Sequence, residues 1–207
     1  MKIKQLESAL QSIRRYSDLG PERTNIALEQ YSTSPHLAAR MIFTADMQYG
    51  DIEGKVVLDM GCGTGVLGIG AAVMGAAHVV GWDVDPGALE VAAENAAEIE
   101  VDLDLVCLDV IASRRVAAGS VDTVVMNPPF GTRIAGADVA FLQRALALGP
   151  AAVYSMHKSS TREHIASKAS EWGADFQVVA QMRFDIPATY KFHRQKSVDV
   201  EVDLVRL

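Results

Sequence analysis

The segment from Val56 to Asp83 limits the folds open to this chain more than any other. Val56-Val57-Leu58-Asp59-Met60 is an apolar run of strand length that enters Gly61-Cys62-Gly63-Thr64-Gly65. An Ala-rich helical stretch follows to about Gly75, and Val79-Val80-Gly81-Trp82-Asp83 is a second apolar run. Strand, helix and strand in that order make a βαβ unit, whose two strands lie parallel in one sheet. A parallel sheet buries both faces, so it needs helices on each side. The remaining sequence supplies them: strands are expected at residues 103–110, 121–126, 151–156 and 175–182, with helices at 86–98, 138–148 and 160–172 between them. Residues 197–205 alternate strictly between apolar and polar, the mark of a strand with one polar face, which antiparallel pairing tolerates. The expected fold is α/β: a seven-stranded, mostly parallel, Rossmann-like sheet with one antiparallel strand near its edge and helices on both faces.

With 207 residues, 49% of them hydrophobic, the chain has the length of one domain with a sizeable core. Residues 51–207 carry the βα alternation, and residues 1–50 read as a helical extension. There Ile3, Leu6, Leu10 and Ile13 recur at helical spacing, giving an amphipathic helix that ends in Arg14-Arg15-Tyr16-Ser17-Asp18 and lies on the core as an appendage. Ser34-Pro35 is an N-cap and first-turn pair for a second helix reaching about Met47. No stretch resembles a signal peptide, and the longest apolar run, near residues 66–80, is interrupted by glycines and His78. An intracellular protein that spans no membrane is expected, in nucleus and cytoplasm if the source is eukaryotic. Two cysteines are too few for a disulfide framework or a zinc site, so both are expected reduced, with no metal. The net charge of -7 argues against holding nucleic acid by the overall field, leaving a local basic patch as the alternative.

Glycines at the first βα turn let backbone approach a ligand, and Asp83 ends the second strand where an acid hydrogen-bonds a ribose hydroxyl. Dinucleotide sites place G-x-G-x-x-G against a pyrophosphate. Here the pattern is Asp59-x-Gly61-x-Gly63-x-Gly65, and an acid ahead of the glycines repels a pyrophosphate and attracts a cation. A ribose joined to an ammonium or sulfonium group fits, which describes S-adenosylmethionine. Asp109, at the end of the third strand, is either an acceptor for that cofactor's adenine amine or a helix cap. Gln30 and Thr33 are either loop and cap residues or ligand contacts.

The fourth strand ends in Asn127-Pro128-Pro129-Phe130. Two prolines stop the strand and stiffen its end, leaving an amide, a freed carbonyl and an aromatic face to grip a planar molecule that carries an NH2 group. In open α/β sheets ligands bind beyond the carboxyl ends of strands where the strand order reverses, so the first and fourth strands share one crevice. Ile186 to Lys196 forms an aromatic and basic loop in an acidic chain, including Tyr190, Lys191, Phe192, His193 and Arg194, and Lys158 adds a cation at the fifth strand's end. Such interleaving suits phosphates and an unstacked base; a solvated loop is the alternative.

Asp59-Met60-Gly61-Cys62-Gly63-Thr64-Gly65 resembles the cofactor motif of class I methyltransferases, and Asn127-Pro128-Pro129-Phe130 resembles the motif of those that methylate exocyclic or amide nitrogens. Leu28-Glu29-Gln30-Tyr31, Pro35-His36, residues 154–164, and 190–193 with 198–204 are similar to the methyltransferase-like protein 5 family. That resemblance implies formation of N6-methyladenosine in small-subunit (18S-type) ribosomal RNA. It implies cofactor contacts from Gln30, Thr33, Gly61, Thr64, Val66, Asp83, and Asp109 with Val110. For a eukaryotic chain it also implies a heterodimer with a small zinc-binding methyltransferase activator protein (TRM112 type). Many members carry Cys in place of Thr64, a harmless change in a loop that acts through its backbone; members often carry basic residues in place of Ser34 and Gln195, which points to weaker RNA affinity or salt dependence here. Two other readings use the same residues: methylation of a glutamine amide in a protein, and a cofactor-binding ribosome assembly factor.

Overall fold

The structure is a computed structural model that describes residues 1–16, 33–113, 119–131, 134–187 and 197–207. The chain opens with helices α1 (Ile3–Leu10) and α2 (Pro35–Tyr49). It then runs β1 (Val56–Met60), α3 (Val66–Val73), β2 (His78–Asp83), α4 (Pro86–Ile99), β3 (Asp104–Cys107), β4 (Thr123–Met126), α5 (Ala137–Ala147), β5 (Ala152–Lys158), α6 (Arg162–Glu171), β6 (Gln177–Pro187) and β7 (Ser197–Arg206). One seven-stranded sheet has the order β3-β2-β1-β4-β5-β7-β6. β1 pairs in parallel with β2 and β4, β2 with β3, and β4 with β5. β7 alone runs against its neighbours, antiparallel to both β5 and β6, one place in from the edge.

Period-two side chains feed two cores. On β1, Val57 joins one apolar cluster while Leu58 and Met60 join the other; on β4, Val125 faces the first, and Val124 and Met126 the second. The first cluster is closed by α1, α2 and α3 through Leu6, Leu37, Ile42 and Ile69, and the second by α5 and α6 through Leu142, Ala145 and Ile165. Burial on both faces explains why the central strands are apolar throughout.

α1 is not an appendage. Leu6 and Leu10 are fully buried in the first cluster, so truncating either to Ala would cost about 2–5 kcal/mol. The helix also stops at Leu10; Ile13 is buried beyond its end. α2 begins as expected, with the Ser34 hydroxyl accepting from Leu37 N at 3.3 Å and Pro35 in the first turn. β3 is shorter than the apolar pattern suggests and ends at Cys107, so Asp109 lies in the turn after it. β5 and β6 extend to Lys158 and Pro187 because β7 offers them a full antiparallel partner, from Lys158↔Val202 to Pro187↔Ser197. The polar face of β7 is not simply solvated: Asp203 is buried and accepts from Arg162 Nε and Nη2 at 2.6 and 2.7 Å and from Ser159 Oγ at 2.8 Å. Among the described residues no helix is long and apolar enough to cross a membrane.

Candidate functional site

The sheet order reverses between β1 and β4, and beyond their carboxyl ends lies a cavity of about 210 Å³. Its lining brings together Thr33, Asp59, Gly61, Gly63, Thr64, Val66, Asp83, Asp109, Val110, Asn127 and Pro129.

The turn after β1 explains its own glycines. Gly61, Gly63 and Gly65 have φ of +75°, +54° and +88°, a region that side chains disfavour. Space is short as well: a Cβ at Gly63 would lie 3.0 Å from the Tyr16 ring, and one at Gly61 would lie 3.0 Å from Phe141 Cε1. The turn is pinned to β2 because Gly61 N and Cys62 N both donate to the Trp82 carbonyl, at 2.8 and 2.9 Å. Gly63 N then donates to Asp83 Oδ2 at 2.7 Å, and Asp83 Oδ1 accepts from Asp85 N at 2.9 Å. Asp83 is thus held rigidly at the cavity wall. Its carboxyl is raised above the ordinary range, mainly by burial, against the opposing pull of those backbone donors.

Asp59 lies deeper. Its Oδ2 accepts from Gly68 N at 2.7 Å, whereas its Oδ1 is buried without a hydrogen-bond partner. Burial raises the carboxyl from its ordinary 3.8 to about 7, the Gly68 donor lowering it and the Asp83 charge adding to the rise. A buried carboxylate oxygen without a donor is costly unless a cation or a hydrogen-bond donor reaches it. The cavity is therefore furnished for a ligand that carries positive charge beside Asp59.

At the end of β4, Asn127 Nδ2 donates to Thr33 Oγ1 at 2.9 Å, while Asn127 Oδ1 is buried and unpartnered. Pro129 lines the cavity, whereas Pro128 and Phe130 are buried and do not. Phe130 packs in the first apolar cluster with Lys158 Nζ 5.8 Å from its ring centroid, within cation–π range. The face expected to meet a planar ligand is thus shared with the cation expected to meet its charge.

Asp109 is the cap of the turn after β3 and also stands on the cavity wall. Its Oδ1 accepts from Ile111 N and Ala112 N at 2.9 and 3.0 Å. Gln30 and the stretch Tyr190, Lys191, Phe192, His193 and Arg194 lie outside the described residues.

Sequence reading missed Tyr16 and Phe141, aromatic residues on the cavity wall. Tyr16 reaches it through a long-range tie: buried Asn95 of α4 donates from Nδ2 to the carbonyls of Arg14 at 3.0 Å and Thr64 at 2.9 Å, and its Oδ1 accepts from Arg14 N at 3.0 Å. One side chain thereby fastens the N-terminal segment to the glycine turn. A lone Asn in an Ala-rich helix was the available signal.

A family model of the ribosomal protein L11 methyltransferase (PrmA) matches residues 31–128. Over 208 aligned residues the chain is 48% identical to the rRNA N(6)-adenosine-methyltransferase METTL5 of Danio rerio, covering 100% of this chain and 98% of that protein. Among solved structures, a proposed RNA methyltransferase, PH1948 of Pyrococcus horikoshii, is 34% identical with a TM-score of 0.82, covering 100% of this chain and 97% of that one. The fold alone is shared with the tRNA (uracil-54, C5)-methyltransferase of Pyrococcus abyssi in complex with S-adenosyl-L-homocysteine, 21% identical with a TM-score of 0.57 over 86% of this chain and 40% of that one.

Proposed function

The chain belongs to the METTL5 family of rRNA N6-adenosine methyltransferases, and on that membership and the shape of the cavity we propose that it methylates N6 of an adenine in small-subunit (18S-type) ribosomal RNA, using S-adenosylmethionine. The observation that carries the reading is the unpartnered, buried carbonyl oxygen of Asn127 in the same cavity as the unpartnered carboxylate oxygen of Asp59. One is an acceptor for an amine, the other a counter-charge for a cation.

Bound S-adenosylmethionine supplies an electrophilic methyl group on sulfur. Asp59 Oδ1 would hold the cofactor's ammonium, Asp83 its ribose hydroxyls, and Asp109 with Val110 its adenine. The glycine turn of Gly61, Gly63, Thr64, Gly65 and Val66 keeps backbone close along the cofactor's length. The family resemblance adds Gln30 and Thr33 to the cofactor's contacts.

Adenine N6 is a weak nucleophile because its lone pair is delocalised into the ring. Asn127 Oδ1 would accept one N–H and the Pro128 carbonyl the other, orienting the amine and drawing its nitrogen toward tetrahedral geometry, and the proton that N6 loses on methylation would pass by these acceptors to solvent. No strong base is required before transfer, so positioning and electrostatics supply most of the acceleration. The adenine must leave its stack to enter, and Phe130, buried in the first apolar cluster, stiffens the end of the clamp from the core side. Lys158, within reach of that ring, turns its ammonium to the nucleotide's phosphate. Tyr190, Lys191, Phe192, His193 and Arg194 extend the RNA contact.

The PrmA match ends at Pro128 and so spans the cofactor half without Phe130 or Lys158; it favours neither a protein nor an RNA acceptor. As part of the same proposal, a chain from a eukaryote works within nucleus and cytoplasm, paired with a small zinc-binding activator of the TRM112 type. Incubation of the purified protein, alone and co-expressed with such an activator, with methyl-labelled cofactor and ribosomal RNA tests the reading. Label recovered as N6-methyladenosine after nucleoside digestion supports it; label in ribosomal protein, or in another nucleoside, overturns it.

A further inference from the structure

We propose that Thr33 is a positioning residue for the methyl-acceptor site: its hydroxyl holds the amide of Asn127 in the plane from which the carbonyl oxygen meets the incoming amine. The inference rests on the reading of Asn127 as the group that accepts the adenine N–H. It assigns Thr33 a part in the transfer itself, distinct from any contact with the cofactor.

An asparagine amide is nearly symmetric in shape, so packing alone does not choose which end faces the cavity. The choice matters chemically. With Oδ1 toward the cavity, the amide accepts from an amine; turned by 180°, it presents N–H groups to N–H groups and repels the acceptor. In the structure Asn127 Nδ2 is taken up by Thr33 Oγ1 at 2.9 Å, and Oδ1 is left without a partner. A hydroxyl can also donate, so Thr33 fixes the plane of the amide, and the amine that binds selects the orientation in which the hydroxyl accepts. The two together define one productive geometry.

Both ends of this hydrogen bond are held stiffly. Thr33 is buried and directly precedes Ser34, the N-cap of α2, whose helix starts at Pro35 and anchors through the fully buried Ala38, Met41 and Ile42. Asn127 follows the buried β4 and precedes Pro128 and Pro129. The anchor therefore comes from outside the βα core, across 94 residues of sequence, and it makes the segment before α2 part of the acceptor site.

The test compares Thr33→Val, which keeps the shape and removes the hydroxyl, with Thr33→Ser, which restores it; Thr33→Ala serves as a second deletion should the valine variant not fold. Single-turnover methyl transfer at saturating S-adenosylmethionine is measured with cofactor affinity by calorimetry and with the 15N signal of the Asn127 side-chain amide, assigned by its loss in Asn127→Ala. Losing one hydrogen bond in the transition state should slow transfer at saturating cofactor by about tenfold in Thr33→Val, beyond whatever change calorimetry finds in cofactor affinity, with the amide signal displaced. Thr33→Ser should return rate and signal toward the wild type. Wild-type transfer in Thr33→Val, a defect that appears only as lost cofactor affinity, or an unmoved amide signal would overturn the proposal. If the wild-type protein methylates no adenine, the functional reading fails, and the amide signal still decides the role of Thr33.

Discussion

Replacing Asp59 with Asn separates a cofactor counter-charge from a merely structural acid. In the structure this carboxyl is raised from 3.8 to about 7 by burial, with Oδ1 unpartnered. A folded value above the unfolded one means that the folded protein binds the proton more tightly. The penalty for burying this group is therefore absent below about pH 3.8, grows from there to about pH 7 and levels off above it, at about 4 kcal/mol in all. An ammonium placed beside Oδ1 lowers the carboxyl again, so ligand binding expels a proton around neutrality. From pH 5.5 to 7 the affinity for S-adenosylhomocysteine should then rise by about tenfold, with about half a proton released per ligand at pH 7. Calorimetry in buffers of different ionisation heat measures both quantities. Asp59→Asn should bind weakly with no such slope, and the ligand-free wild type should lose about 3 kcal/mol of stability relative to this variant between pH 5 and 8. An affinity flat with pH, or the same slope in Asp59→Asn, would refute the assignment.

Other consequences follow from the same geometry. Asn127→Ala should reduce methyl transfer by about a hundredfold or more while calorimetry finds cofactor affinity nearly unchanged, since it removes an interaction made to the acceptor. Asp83→Ala should weaken cofactor binding by about tenfold and also loosen the turn, because Gly63 N loses its acceptor; unchanged affinity would remove Asp83 from the ribose role. Lys158→Ala should lower RNA affinity and flatten its salt dependence by about one unit of slope, and Lys191→Ala with Arg194→Ala should act in the same direction. Asp203→Ala should cost about 2 kcal/mol in denaturant unfolding, because it breaks the bonds from Arg162 and Ser159. Burial pushes the Asp203 carboxyl up, but Arg162 and Ser159 outweigh it and hold the group below its ordinary range. Its contribution is thus present above the unfolded value and lost as pH falls through the folded one.

The legible parts of the chain were those whose cause is local. Three glycines two residues apart announce a turn that needs positive φ, and the structure puts positive φ at all three. Asn before two prolines announces a stiff strand end, and Asn127 stands there with its carbonyl unpartnered. Contacts made across the fold were not legible. Nothing near Arg14 or Asn95 in sequence tells that Asn95 ties the Arg14 backbone to the glycine turn, across 81 residues to Arg14 and 31 to Thr64. Asp203 read only as part of a polar strand face, and its partners were hidden because Arg162 and Ser159 come from the loop and helix after β5. The end of β3 was overrun because Leu108 to Val110 is as apolar as a strand, yet Asp109 diverts the backbone by accepting from the next turn's amides. Phe130 was read as a free aromatic face; the structure packs it into the core beneath Lys158.

On the proposed function, Asn127 presents an adenine of small-subunit ribosomal RNA for methylation at N6. The most direct test of this claim is nucleoside mass spectrometry of that RNA from cells lacking this protein, complemented with the wild type or with Asn127→Ala at equal abundance. The account predicts that N6-methyladenosine falls by one residue per small subunit, returns with the wild type and stays absent with Asn127→Ala. Unchanged N6-methyladenosine in the deletion, or full restoration by Asn127→Ala, would contradict it.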